Sequence, residues 1–229
     1  CIYRIPKGTF FTEKHSYCPK CGQPLKWYDM VPVFSWIFLG GKCRNCKEKI
    51  SARYPIVESL NAVLWTLSAY FIGLNANAFI YDALFSALIV MTFIDIDTKE
   101  IPNGIVVFII IFSIPLFFTA KDVVWWHRLV GAVVISVPLY VIALVTGGIG
   151  GGDIKLYFAL GLVLGLYPTL VSAFIAIVSA GLIGGVLLLT KKVRKGYELP
   201  LGPFIALGAV VTVFAGTPII DGIKNLFGI

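Results

Sequence analysis

Two aspartates stand at the edges of apolar segments, Asp95 in FIDIDTKEIPN and Asp153 in GGIGGGDIKL. A carboxylate at membrane depth costs several kcal/mol unless a partner compensates it, so an acid in such a position is a functional-site hypothesis by default. Facing each other across one water, two carboxyls are the equipment for general acid/base hydrolysis of a peptide bond, which makes Asp95 and Asp153 the candidate catalytic pair. Each also has a plainer reading. Asp95, or Asp97 two residues on, can be a solvated boundary carboxylate or a cap for the segment that Pro102 begins. Asp153 is well suited to N-cap the apolar segment it precedes. Glycines at 147, 148, 150, 151 and 152 make either a flexible connection or a backbone that a substrate strand can approach closely. On the second reading Gly150, Gly151 and Gly152 line a substrate cleft.

A second constellation is Cys18-x-x-Cys21 followed, after 21 residues, by Cys43-x-x-Cys46. Thiolates at this spacing form two knuckles that can close one tetrahedral Zn²⁺ site, with Gly22 and Lys47 following the pairs. Four protein sulfurs leave no position open for water, so such a site is structural rather than catalytic. The alternative is two disulfides, which a reducing cytoplasm disfavours. Cys1 falls outside the pattern and reads as a small apolar residue near the membrane.

The elements that must position these groups are strongly apolar. Of 229 residues 58% are hydrophobic and 14% charged, where a soluble domain carries about 25% charged residues. The composition is that of an all-α polytopic membrane protein. Residues 1–54 are polar and basic and read as a small water-exposed, zinc-binding domain; residues 55–229 read as the transmembrane domain. The latter holds seven apolar stretches, near 56–74, 78–95, 103–119, 129–146, 154–167, 169–190 and 201–218. Crossing ~30 Å of hydrocarbon takes ~20 helical residues, so the 154–167 stretch is short. Pro168 is expected to separate it from the next by a tight turn. KDVVWWHR at 121–128 joins paired tryptophans to charge and reads as an interfacial segment. The opening CIYRIP looks like the tail of a further apolar segment, so a first transmembrane helix is expected to precede it.

Charge orients the segments. Ten of the 19 Lys and Arg residues lie in residues 1–53. With that domain cytoplasmic, seven crossings place Lys99, Lys155, Lys191, Lys192, Arg194 and Lys195 on the same side, and Lys121, Arg128 and Lys224 outside. The net charge of +7 is thus a topology signal, and no nucleic-acid partner is implied. Crossing parity puts Asp95 and Asp153 on one face of the membrane. Asp82 reads as an interfacial residue, and Glu58 as a helix anchor able to pair with Arg53. His15 and His127 show no ligand spacing and receive no role.

Taken together, these motifs resemble those of bacterial type IV prepilin peptidases, bifunctional leader peptidases and N-methyltransferases of the GxGD aspartic class. DIDTKEIPN resembles the first aspartate motif, and Gly150-Gly151-Gly152-Asp153 the GxGD motif. The stretch from CPKCGQPL to ISARYPIVE is similar to the family's cysteine-bearing domain, and LPLGPFIALGA at 199–209 to a further family segment. CIYRIPKG resembles the end of the family's first transmembrane segment, which would make eight crossings in an intact member. The resemblance implies that Asp95 and Asp153 are catalytic, with Asp97 an auxiliary acid. It implies prepilin or pseudopilin substrates, cleaved after a Gly on the cytoplasmic side of the bacterial inner membrane. It also implies methylation of the new N-terminus with S-adenosylmethionine, at a site involving the zinc-bearing domain. The chain itself holds no glycine-rich methyltransferase fingerprint and no evident Ser or Cys nucleophile with a neighbouring base. Two rivals stand beside this reading. One is a peptidase of the same class without methyl transfer. The other is a non-enzymatic zinc-knuckle membrane adaptor or transporter whose acids lie apart or line a through-path.

Overall fold

The computed structural model describes residues 1–10, 12, 15–120, 123–193 and 199–227, with the backbone alone at 223, 224, 226 and 227. Lys121, Arg194 and Lys195 of the charge argument therefore lie outside the described residues, as does the Lys224 side chain. Among the described residues the chain is helical, with isolated bridges in place of strands. A 3₁₀ turn at Trp27–Met30 and the short α1 (Phe34–Phe38) belong to the N-terminal module. The bundle follows: α2 (Arg53–Phe71), α3 (Ala76–Thr98), α4 (Asn103–Ser113), α5 (Leu116–Thr119), α6 (Trp125–Thr146), α7 (Gly151–Leu164), α8 (Leu166–Leu189) and α9 (Gly202–Phe227).

Every apolar stretch meets a helix, with Pro115 dividing the 103–119 stretch into α4 and α5. Four helices, α3, α6, α8 and α9 as far as Gly222, are long and apolar enough to cross a membrane. The protein is thus a multi-pass membrane protein. α7 is only 14 residues, a rise of ~21 Å. Its short length is tolerable because it is wrapped by protein: α4, α6, α8 and α9 pack round it, and Leu156, Ala159 and Leu160 are fully buried. A helix apolar on every side belongs in an interior. By contrast α6 and α8 turn exposed rows outward, among them Val137, Val141, Phe174 and Ile177.

Several turns pass through positive φ. Lys99 (φ 56°) ends α3 and Gly147 (φ 65°) ends α6. Between α7 and α8 the chain reverses at Gly165 (φ 83°), not at Pro168, which lies inside the first turn of α8. Amides of a first turn have no partner within their helix, so a proline costs nothing there, whereas the reversal needs a residue without Cβ.

Close backbone contact fixes the α6/α7 crossing. A Cβ on Gly131 would lie 2.6 Å from the Gly165 carbonyl carbon and 2.9 Å from Gly161 O, and one on Gly161 would strike the Gly131 backbone. Arg128, counted above among outer-side charges, is fully buried in the first turn of α6. It donates to the carbonyls of Leu162 and Val163 at the end of α7. A cation at orphan C-terminal carbonyls suits both the unpaired acceptors and the helix dipole.

Substituting Gly131 with Leu is expected to destabilise the bundle by about 1–3 kcal/mol through overpacking, read as a lower unfolding midpoint in detergent. Gly181, whose added Cβ would meet nothing within 4 Å, should accept Ala without loss.

Candidate active site and metal centre

Asp95 lies in the last turn of α3 and is 4% exposed. Its carboxylate accepts the backbone N–H of Gly202, at 2.8 Å on Oδ2. Gly202 is the first residue of α9, so its amide has no acceptor within that helix. Asp95 thus serves as a capping group from 107 positions away in sequence, and the positive end of α9 faces a buried carboxylate. The approach requires glycine: a Cβ at 202 would sit 2.7 Å from Asp95 Oδ2 and 2.8 Å from Met91 Sδ.

Asp153 enters from the other side. It is the third residue of α7, half-buried, while Gly150 occupies the N-cap position. The N-cap reading of Asp153 is thereby corrected. Its carboxyl lies back beside Gly150 at the start of α7. The C-terminal end of α3 and the N-terminal ends of α4, α7 and α9 meet here, so two acids 58 positions apart in the chain share one end of the bundle.

The glycine run is used unevenly. A Cβ on Gly152 would fall 2.9 Å from Ile101 Cβ, which seats the α3–α4 connection on the first turn of α7. Gly151 has open space about it, and a Cβ on Gly150 would lie 3.1 Å from Asp153 Oδ2. Lys155 Nζ donates to Asn103 Oδ1 at 3.1 Å, a second tie between α7 and α4.

Asp97 is exposed and lies ~200° round α3 from Asp95. It receives a two-pronged contact from Arg53, Nη1 to Oδ2 at 2.6 Å and Nη2 to Oδ1 at 2.8 Å. The expected Arg53–Glu58 pairing is therefore not made. Five positions along a helix are ~140° apart round its axis, so the two side chains diverge. Glu58 instead accepts the Val33 N–H at 2.8 Å. Val33 has φ 61°, a strained value for a β-branched residue that needs an outside hold.

The four cysteines converge in the N-terminal module. Their sulfurs lie within 4.8 Å of one another, and Cys18 Sγ is 3.8 Å from Cys46 Sγ. The edge of a tetrahedron of ~2.3 Å metal–sulfur bonds is about 3.8 Å, so the donor set fits one ion. All are free thiols, which removes the disulfide alternative, and Cys1 stands apart and exposed. The knuckles share one backbone plan. Cys18 N–H donates to Gln23 O and Gly22 N–H to Cys18 O; Cys43 N–H donates to Glu48 O and Lys47 N–H to Cys43 O. Gly22 (φ 68°) and Lys47 (φ 58°) take the left-handed turn at equivalent positions. Asn45 Nδ2 donates to Cys21 Sγ at 3.9 Å, linking the second knuckle to the first.

The roles of Gly202, Arg53 and Arg128 have no counterpart in the sequence motifs. Their only signal there is membership of a noted segment: Gly202 in LPLGPFIALGA, Arg53 in ISARYPIVE and Arg128 in KDVVWWHR.

Comparison with known proteins agrees with this architecture. Residues 1–72 match the bacterial peptidase A24 N-terminal domain, and residues 83–185 match the type IV leader peptidase family. The chain is 33% identical to the prepilin leader peptidase/N-methyltransferase of Bacillus subtilis (strain 168), over 95% of its own length and 88% of that protein's. It is 32% identical to the enzyme of the same name from Stutzerimonas stutzeri, over 93% and 77%. A third such protein, from Xanthomonas campestris pv. campestris, is 30% identical over 100% and 81%. No solved structure matches the chain. It belongs to the type IV leader peptidase family.

Purified protein is expected to carry one thiolate-bound metal ion per chain, measured by elemental analysis. Changing both Cys18 and Cys43 to Ser should abolish it and loosen the module, because metal affinity and folding are coupled in such sites.

Proposed function

We propose that the protein is a membrane aspartic endopeptidase that removes the leader peptide of type IV prepilins or pseudopilins. Cleavage falls after a Gly, and the same enzyme then N-methylates the new terminus. The observation that carries the reading is that the helix ends bearing Asp95 and Asp153 lie at the same end of the bundle in a chain of this family. In our reading residues 1–54 form a four-cysteine zinc domain and residues 55–229 the peptidase domain. Both the domain and the acidic pair face the cytoplasm, at the inner membrane.

The reaction follows from the pair. Two carboxyls close together act as a unit holding one proton between them. The ionised member takes a proton from a bound water, which attacks the scissile carbonyl. The protonated member gives its proton to the carbonyl oxygen as the gem-diol forms. The member that took the water proton then passes it to the leaving amine, and a gem-diol hydroxyl returns its proton to the other carboxylate as the carbonyl reforms. The Gly202 amide keeps the Asp95 carboxyl oriented throughout. Asp97 is auxiliary in holding Arg53 outside the pair rather than in carrying a proton, and the glycines at 150, 151 and 152 form the substrate approach, with Gly151 its open point. Cys18, Cys21, Cys43 and Cys46 hold zinc as a structural ion, which cross-links the N-terminal module and takes no part in hydrolysis.

S-adenosylmethionine is the methyl donor that the relatives' name suggests. Among the described residues, one cavity of about 510 Å³ is lined by Val106, Val107, Val137 and Phe158 among others, and another of about 350 Å³ by Pro55, Ile56, Ser59, Leu60 and Val63. Asn103, Ser136, Tyr140 and Lys155 also line the larger cavity, whereas the smaller is apolar but for Ser59.

Replacing Asp95 or Asp153 by Asn is expected to lower the rate of prepilin cleavage in detergent at least ~10²-fold while the protein still inserts and folds. Near wild-type processing by either variant would remove the acidic pair from the mechanism. Mass spectrometry of the mature product tests the second activity. A product lacking the added methyl would favour a peptidase without transferase function.

A further inference from the structure

Arg53 is the first residue of α2 and follows the second knuckle almost directly. Ile50, three positions earlier, is tied into that knuckle: its N–H donates to Gly41 O at 2.7 Å, and its carbonyl accepts the Trp36 indole N–H at 3.1 Å. The Arg53 amide donates to Ser51 Oγ at 3.2 Å, so the residue leaves the module in a set direction. Its guanidinium then spans one turn of α3, forking onto Asp97 and lying 5.0 Å from the centre of the Phe93 ring.

Phe93 and Asp97 are four residues apart and so share one face of α3. Asp95 sits midway, ~200° round the helix from both, on the face where Gly202 meets it. The last turn of α3 is thus held from two sides, by a backbone amide within and a guanidinium without. It needs an outer hold. Residues 96–100 are exposed, and the helix ends on Lys99 in a left-handed conformation. Terminal turns of this kind are where helices open first.

We propose that Arg53 is a positioning residue for the peptidase: by gripping Asp97 and Phe93 it fixes the last turn of α3, and with it the Asp95 carboxyl. The metal-bearing module and the acidic pair then move as one body. This rests on Asp95 being a catalytic acid, as proposed above. Arg53 touches neither substrate nor the reacting atoms. An exposed ion pair adds little to global stability, whereas displacing a reacting group by about 1 Å can cost ~10²-fold in rate. The two effects therefore separate.

The test is steady-state cleavage of a purified prepilin by the full-length enzyme in detergent, with the unfolding midpoint and metal content of each variant recorded alongside. Arg53→Met and Asp97→Asn should each lower kcat roughly 10-fold to 10²-fold. KM should stay within about twofold, with midpoint and metal content unchanged. Arg53→Lys, which keeps the charge but loses the fork, should fall between wild type and Arg53→Met. The exchanged pair Arg53→Asp with Asp97→Arg should recover at least about fivefold over the poorer single variant, as coupled neighbours do. Wild-type kcat in the single variants would overturn the proposal. So would a loss of kcat that tracks the midpoint, or an exchanged pair no better than its singles. Asp95→Asn is run beside them. If it cleaves normally, the catalytic assignment has failed; if it is inactive while the Arg53 variants are not, only the positioning role has.

Discussion

The hydrogen bond from the Gly202 amide to Asp95 Oδ2 joins the end of α3 to the start of α9. It satisfies two needs at once. A carboxylate withdrawn from water requires donors, and a helix start buried in a bundle requires acceptors. Neither group has a local remedy, so each is stabilised only when the helices pack as they do. A side chain at 202 would close the gap between Asp95 and Met91, so the geometry of the acidic centre depends on one missing methyl group.

Around that contact the bundle supplies rigidity by close backbone approach rather than by large side chains. Gly131 against Gly161 and Gly208 against Ser172 let helices touch directly. With little hydrophobic force between helices in lipid, such small-residue contacts and buried polar ties carry the association. Arg128 acts in the same way, filling the orphan carbonyls at the far end of α7 while Asp153 sits at its near end. The short α7 is held at both ends with its charges matched to its dipole.

The N-terminal module is attached to the bundle by more than chain continuity. Glu58 in the second turn of α2 grips Val33, and Arg53 in the first grips Asp97. Within the module Asp29 binds Arg44 beside the second knuckle, at 2.7 Å to Nη2. The cysteine-bearing module therefore stands in a fixed relation to the turn that carries Asp95.

Much of this architecture is legible in the order of residues alone. The cysteine spacing determined the four-sulfur cluster because a knuckle is a local turn, closed by residues within a few positions of each other. Hydropathy located the helices, because it depends only on composition along the chain. Pairing was a different matter. Arg53 had Glu58 as its near neighbour in sequence, yet chose Asp97; Asp95 found Gly202; Arg128 turned inward to α7. Those partners lie 44, 107 and 34–35 positions away. Only the packing of helices brings such groups within reach, since helix periodicity sets which face a residue occupies but not which neighbour that face will meet.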